Sequence, residues 1–227
     1  WRASTMSFEP DSAMWLHAGM DATHDLEPTI DLGGQVALVT GASSGLGRRF
    51  ATVLAANGAR VVATGRRVER LGEVAEEIRA AGGTCLPLQL DVTDAEQLAD
   101  VVGTAEAQLG PVQILVNNAG IPDAQYATKM ELELIDRVLD TNLRAPYVLS
   151  CEVARRLIEL KLPGRMVNIS SVGGFTYGGG GAALYSITKA GVNRLTETLA
   201  VEWSRFDINV NAIAPGLFAS EMSDGMI

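Results

Sequence analysis

Residues 35 to 58, QVALVTGASSGLGRRFATVLAANG, set the strongest constraint on how this chain can fold. QVALVT is a continuous apolar run of buried-strand length. A glycine turn follows, and then Leu46, Phe50, Val53 and Leu54 recur at helical spacing until Gly58 stops the pattern. A strand that is apolar on both faces needs cover on both faces, so one strand–turn–helix unit demands others beside it.

The alternation continues along the chain. ARVVATG (59 to 65) reads as a second strand, VERLGEVAEEIRAAGG as a charged amphipathic helix closed by Gly82 and Gly83, and TCLPLQLD (84 to 91) as a third strand. Thr93 or Asp94 caps the helix AEQLADVVGTAEAQLG, and VQILVNNAG (112 to 120) is a fourth strand. A helical stretch spans roughly 131 to 160, with Pro146 predicting a kink or a break between two helices. GRMVNISS (164 to 171) and INVNAIAPG (208 to 216) are the fifth and sixth strands, separated by a helix from 183 to about 204. The pattern predicts an α/β domain from residue 35 to 227, a doubly wound Rossmann fold with a six-stranded parallel sheet.

Residues 1 to 34 differ in composition. They hold six acids and one base, Arg2, and no sustained period of 3.6 or 2, so they read as an acidic extension. The chain as a whole has 18 Lys+Arg against 27 Asp+Glu, and its net charge of −9 opposes binding to nucleic acid or anionic lipid. His17 and His24 form no metal-like cluster, and Cys85 and Cys151 lack the spacing of a zinc site or a disulfide framework, so no metal is expected and both thiols should be buried. No apolar run is long enough for a membrane span, and the N-terminus lacks a secretory pattern; the expected location is cytoplasmic.

Two motifs bear chemistry. Gly41, Gly45 and Gly47 are spaced G-x-x-x-G-x-G at a strand-to-helix junction. This differs from the G-x-G-x-x-G fingerprint, but the mechanism is shared: without Cβ atoms, backbone amides and a positive helix N-terminus can approach a pyrophosphate. In ALYSITKAGVNRL (183 to 195), Tyr185 and Lys189 lie one helical turn apart, beside a predicted buried stripe of Leu184, Ile187, Gly191, Val192 and Leu195. Locally the pair is either a surface contact or a proton-transfer device.

With these motifs and several others in order, residues 35 to 222 resemble the short-chain dehydrogenase/reductase family, whose nucleotide loop is TGxxxGxG. The resemblance implies that Gly41, Ser43, Ser44, Gly45, Leu46 and Gly47 bind the cofactor. It places Asp91 and Val92 of LDVTD at the adenine pocket, and Asn118, Ala119 and Gly120 of NNAG beside the ribose. Pro215, Gly216, Phe218 and Ser220 would contact the nicotinamide.

Asn142 in TNLRAPY, Ser171 in NISSVGG, and Tyr185 and Lys189 in YSITK match the family's catalytic tetrad. A free tyrosine, with a pKa of about 10, is a poor acid or base at neutral pH unless a cation stabilises its phenolate. The family roles make Tyr185 the general acid or base, Ser171 the partner of the substrate oxygen, Lys189 a ligand of the nicotinamide ribose, and Asn142 the holder of a relay water. Ser170 competes with Ser171; the family serine precedes the tyrosine by about thirteen residues, which favours Ser171.

An acid at the end of the second strand would bond the ribose hydroxyls of NAD(H). This chain has Gly65 there, followed by Arg66 and Arg67, and Arg66 can fork onto a 2′-phosphate; NADP(H) is therefore favoured over NAD(H). Ser220 and Phe218 stand where the family commonly has a threonine and a branched residue. The chain ends at Ile227, where family members continue through a substrate lid and a seventh strand, so the domain is expected to be C-terminally incomplete relative to the family.

The expected activity is hydride transfer between NADP(H) and a small-molecule ketone or secondary alcohol, with 3-oxoacyl thioester reduction as one candidate. The alternatives are an NAD(H)-dependent alcohol dehydrogenase and a catalytically silent nucleotide-binding regulatory protein. Family resemblance further implies a homotetramer or homodimer built on helices near 140 to 160 and 186 to 204.

Overall fold

The computed structural model describes residues 30–123, 125–179 and 181–216; Phe218, Ser220 and most of the N-terminal extension lie outside the described residues. Strands and helices alternate as β1 (Val36–Val39), α1 (Gly45–Ala56), β2 (Arg60–Gly65), α2 (Val68–Ala80), β3 (Thr84–Gln89), α3 (Ala95–Leu109) and β4 (Val112–Asn117). They continue as α4 (Leu132–Leu139), α5 (Ala145–Leu160), β5 (Gly164–Ile169), α6 (Ala183–Trp203) and β6 (Ile208–Ile213). The six strands form one parallel sheet in the order β3-β2-β1-β4-β5-β6.

Successive side chains of a strand point to opposite faces, and β1 divides accordingly. Val36 and Leu38 enter a core with Leu98 and Val102 of α3, Leu149 and Leu157 of α5, and Leu199 and Trp203 of α6. Ala37 and Val39 enter a second core with Ala51 of α1 and with Leu71, Val74 and Ile78 of α2. All four β1 residues are fully buried, which is why the run reads as continuously apolar. Ahead of β1, the Leu32 N–H donates to the Asn57 carbonyl at 2.8 Å and its side chain packs on the second core, so the end of the acidic extension is fastened to the domain.

Local signals resolve in three places. Asp94 is the cap of α3, its carboxylate accepting from the Glu96 and Gln97 N–H groups at 2.9 and 3.2 Å. Pro146 breaks nothing. The chain passes from α4 into α5 through a π turn, Asp140–Arg144, with right-handed backbone throughout, and Pro146 falls in the first turn of α5. The helical chain thus carries a residue that lacks an N–H without being interrupted, because the wide turn precedes it. Cys85 is buried, and burial pushes its thiol up to about 11, whereas Cys151 is only half-buried, contrary to expectation. Among the described residues no helix is long and apolar enough to cross a membrane.

Candidate active site

Strand order reverses between β1 and β4, and the crevice beyond the carboxyl ends of those strands is where a doubly wound sheet binds its ligand. The residues singled out from the sequence follow strand ends. The glycine turn follows β1, Arg66 follows β2, Asp91 and Val92 follow β3, Asn118 to Gly120 follow β4, Ser171 follows β5, and Pro215 and Gly216 follow β6.

The turn after β1 needs its glycines for its own shape. Gly41 and Gly45 have φ of 66° and 53°, and a Cβ at Gly47 would overlap the Gly41 carbonyl oxygen. Thr40 and Asn118 tie the turn to β4: Thr40 Oγ1 accepts from the Asn118 and Ala119 N–H groups, both at 3.0 Å, and Asn118 Nδ2 donates to the Thr40 carbonyl at 2.9 Å. Ser44 gives α1 no side-chain cap, which suits the helix start to an anionic oxygen. Beside it, the Arg67 guanidinium donates to Ser43 Oγ at 3.0 Å and to Ser44 Oγ at 2.7 Å; Arg66 and Arg67 are both exposed. Arg67, which sequence reasoning left without a role, is thus the arginine laid against the glycine turn. Asp91 folds back on its own loop, accepting from the Thr93 N–H and hydroxyl at 3.0 and 2.8 Å.

The four tetrad positions come together from three directions. The Ser171 hydroxyl and the Tyr185 ring both border Gly173, the hydroxyl acts on the Tyr185 phenol, and it accepts from the Gly173 N–H at 3.0 Å. Lys189 Nζ lies 5.6 Å from the centre of the Tyr185 ring and donates to the Ile169 carbonyl at 2.7 Å. Asn142, in the π turn, donates to the Ile121 carbonyl at 2.9 Å and accepts from the Ile121 N–H at 2.8 Å. Asn142 Oδ1 and Lys189 Nζ both border Gly120. Ser170 is directed elsewhere: buried, it bonds to Asn193 Oδ1 at 2.5 Å and to the Lys189 carbonyl at 3.2 Å. The serine loop is strapped to the end of β6, with Ser170 N–H on the Ile213 carbonyl and Val172 N–H on the Pro215 carbonyl.

Burial governs the electrostatics. It pulls Lys189 down to about 8 and pushes the Tyr185 phenol above its ordinary value; the Ser171 hydroxyl draws the phenol back and the Asp123 carboxylate adds to the upward push. The protein alone therefore holds the phenol protonated at neutral pH.

Two features of this region were not anticipated. Of the predicted buried stripe of α6 only Val192 and Leu195 are buried: Leu184 and Gly191 are half-buried and Ile187 is 62% exposed, while Thr188 and Lys189 take inward positions. Asp123, 4% exposed, accepts from the backbone N–H groups of Leu184 and Tyr185.

A parallel sheet of this order, with a glycine turn at its switch point and a Ser–Tyr–Lys cluster at its carboxyl edge, defines a nucleotide-dependent oxidoreductase of the Rossmann type. Residues 35–226 match the family model for short chain dehydrogenases, and the chain belongs to that family. It is 37% identical over 196 residues to gluconate 5-dehydrogenase of Gluconobacter oxydans, covering 86% of this chain and 76% of that one. It is 38% identical over 190 residues to a 3-oxoacyl-(acyl-carrier-protein) reductase of Escherichia coli, covering 84% and 76%. The crystal structure of a metagenomic short-chain oxidoreductase in complex with NADP superposes with a TM-score of 0.77 at 38% identity, covering 82% and 84%. The protein is an NAD(P)-dependent oxidoreductase.

Proposed function

We propose that this chain reduces a ketone, or oxidises the matching secondary alcohol, with NADP(H) and with Tyr185 as the proton donor and acceptor. The observation that carries the reading is the meeting of the Ser171 hydroxyl and the Tyr185 phenol beside Gly173, with Lys189 buried one helical turn further in. Ser171 hydrogen-bonds the substrate oxygen and stabilises the charge that develops on it. Tyr185 gives its proton to that oxygen in reduction and takes it back in oxidation. Lys189 and Asn142, both at Gly120, return a proton to the phenolate from solvent.

The bound cofactor supplies the hydride. The glycine turn and the start of α1 would hold its phosphates, Asp91 and Val92 its adenine, Asn118 to Gly120 its ribose, and Pro215 and Gly216 its nicotinamide. Preference for the 2′-phosphorylated form rests on Gly65, Arg66 and Arg67, and on the NADP in the metagenomic relative. The names of the two curated relatives, a gluconate dehydrogenase and a 3-oxoacyl-(acyl-carrier-protein) reductase, support an oxo or hydroxy compound as substrate.

The same reading extends to a homodimer or homotetramer. Leu139 of α4, Leu143 of the π turn, Tyr147 of α5 and Leu195 of α6 line a groove with Asp140 and Arg144 at its side, and Tyr147 is half exposed. A second copy of the chain would cover this apolar face.

A ketone panel assayed in parallel with NADPH and NADH tests the activity. Turnover with NADPH is expected, and Tyr185→Phe should abolish it while the fluorescence change on nucleotide binding persists. Nucleotide binding without turnover of any ketone would overturn the reading in favour of a silent nucleotide-binding protein.

A further inference from the structure

We propose that Asp123 is a positioning residue for Tyr185, its buried carboxylate clamping the start of α6 so that the phenol meets Ser171. The inference rests on the reading of Tyr185 as the proton donor and acceptor.

The need for a clamp begins in the sequence. Helix α6 starts at Ala183 behind Gly178 to Gly181 and Ala182, none of which has a side chain able to accept a hydrogen bond, and Ala182 at the cap position supplies none. The catalytic tyrosine is the third residue of that helix, where an uncapped end would fray. Asp123, 61 residues earlier in the loop after β4, closes the end from outside. Its Oδ2 accepts from the Leu184 N–H at 2.9 Å and from the Tyr185 N–H at 3.1 Å.

One of the two bonds is made to the backbone of Tyr185 itself, so the clamp fixes the Cα from which the ring extends. Neighbouring contacts hold the ring's surroundings in register: the Ser186 hydroxyl bonds to the Gly173 carbonyl, and Gly173 borders both Ser171 Oγ and the Tyr185 ring. A carboxylate with only 4% exposure is costly unless it is paired, and two N–H donors at a positive helix end provide the pairing.

The clamp also carries a charge, and a neutral cap would have served for shape alone. Among the described residues the charged groups facing the tyrosine are Asp123 from the β4 loop, which acts on the phenol, and Lys189 from α6, 5.6 Å from the ring centre; the β5 loop contributes the neutral Ser171 hydroxyl. Asp123 opposes loss of the phenolic proton. Asp123 thereby adds to the burial that holds Tyr185 protonated, the form that carbonyl reduction consumes, and delays to higher pH the deprotonated form that alcohol oxidation requires.

The test compares the full chain with Tyr185→Phe, Asp123→Ala and Asp123→Asn, measuring kcat for alcohol oxidation against pH, nucleotide binding by fluorescence, and Tm. Asp123→Ala should lower kcat by about tenfold or more through misplacement of the phenol, with nucleotide binding retained. Asp123→Asn keeps an acceptor oxygen for the two N–H groups and should restore most of that turnover, while the ascending limb of its oxidation profile moves to lower pH. A profile of Asp123→Asn with an unmoved limb overturns the inference, whether or not Asp123→Ala folds, and so does wild-type turnover by a folded Asp123→Ala. Wild-type turnover by Tyr185→Phe would instead overturn the underlying role of the tyrosine.

Discussion

Lys189 donates its ammonium group to the Ile169 carbonyl at 2.7 Å from a position only 4% exposed. Burial brings its pKa to about 8 from an unfolded value of 10.5, so below pH 8 the folded state carries a charge that it holds at a cost on the order of 3 kcal/mol. Between pH 8 and 10.5 the unfolded chain binds more protons than the folded one, and stability rises with pH.

Replacing Lys189 by Met removes that cost but leaves the Ile169 carbonyl without its donor, an offset of about 1–3 kcal/mol. The variant is expected to melt a few degrees above the parent at pH 7, with the advantage gone near pH 10.5, and to lose turnover. Thermal scans at the two pH values and a ketone assay check all three outcomes.

Arg67 lies against Ser43 and Ser44 with Arg66 beside it, both exposed, and on the proposed reading both face a 2′-phosphate. Changing either arginine to Ala should raise the KM for NADPH about tenfold, as expected for loss of a charge-assisted bond, with a much smaller effect on NADH. Equal effects on the two nucleotides would show that the arginines do not read the phosphate.

Ser170 and Ser171 are adjacent, yet they should fail in different ways. Ser171→Ala is expected to lower kcat by about 10²–10³, as for loss of a donor to the reacting oxygen, with a small loss of Tm from its one bond to the Gly173 N–H. Ser170→Ala should lower stability by about 1 kcal/mol through its lost bonds to Asn193 and Lys189, with a far smaller effect on kcat. Steady-state kinetics and melting curves of the two variants separate the roles.

A charge placed in the apolar groove should split the oligomer. Tyr147→Glu is expected to shift the molar mass from light scattering toward that of a single chain, since an unpaired carboxylate in an apolar contact costs several kcal/mol. An unchanged mass would place the contact on another face.

The fold was legible because a sheet covered on both faces leaves nothing polar inside its strands, as β1 shows with four fully buried residues. The glycine turn and the Tyr–Lys pair were legible for a similar reason: their chemistry needs particular residues at short spacing. Ile187 was misplaced because hydrophobic periodicity assumes an apolar interior, and the first turns of α6 instead face a polar site that takes in Thr188 and Lys189. Further along the helix, at Val192, Leu195 and Leu199, the interior is apolar and the periodicity holds. Asp123 was hidden because a cap delivered from another loop leaves no local pattern. Its only trace was negative, a helix whose preceding residues could not cap it.

Asn142 meets both polar backbone groups of Ile121 with its own amide, as a neighbouring strand would. Aspartate lacks the donor for such a pair and leucine lacks both halves. The asparagine is therefore required by architecture before any water is relayed. A descendant of this chain that had abandoned turnover would still be held to Asn142 by the need to fold, while Ser171 and Tyr185 were released to drift. On the proposed reading, the asparagine of the four positions answers to the fold and the serine–tyrosine pair to turnover.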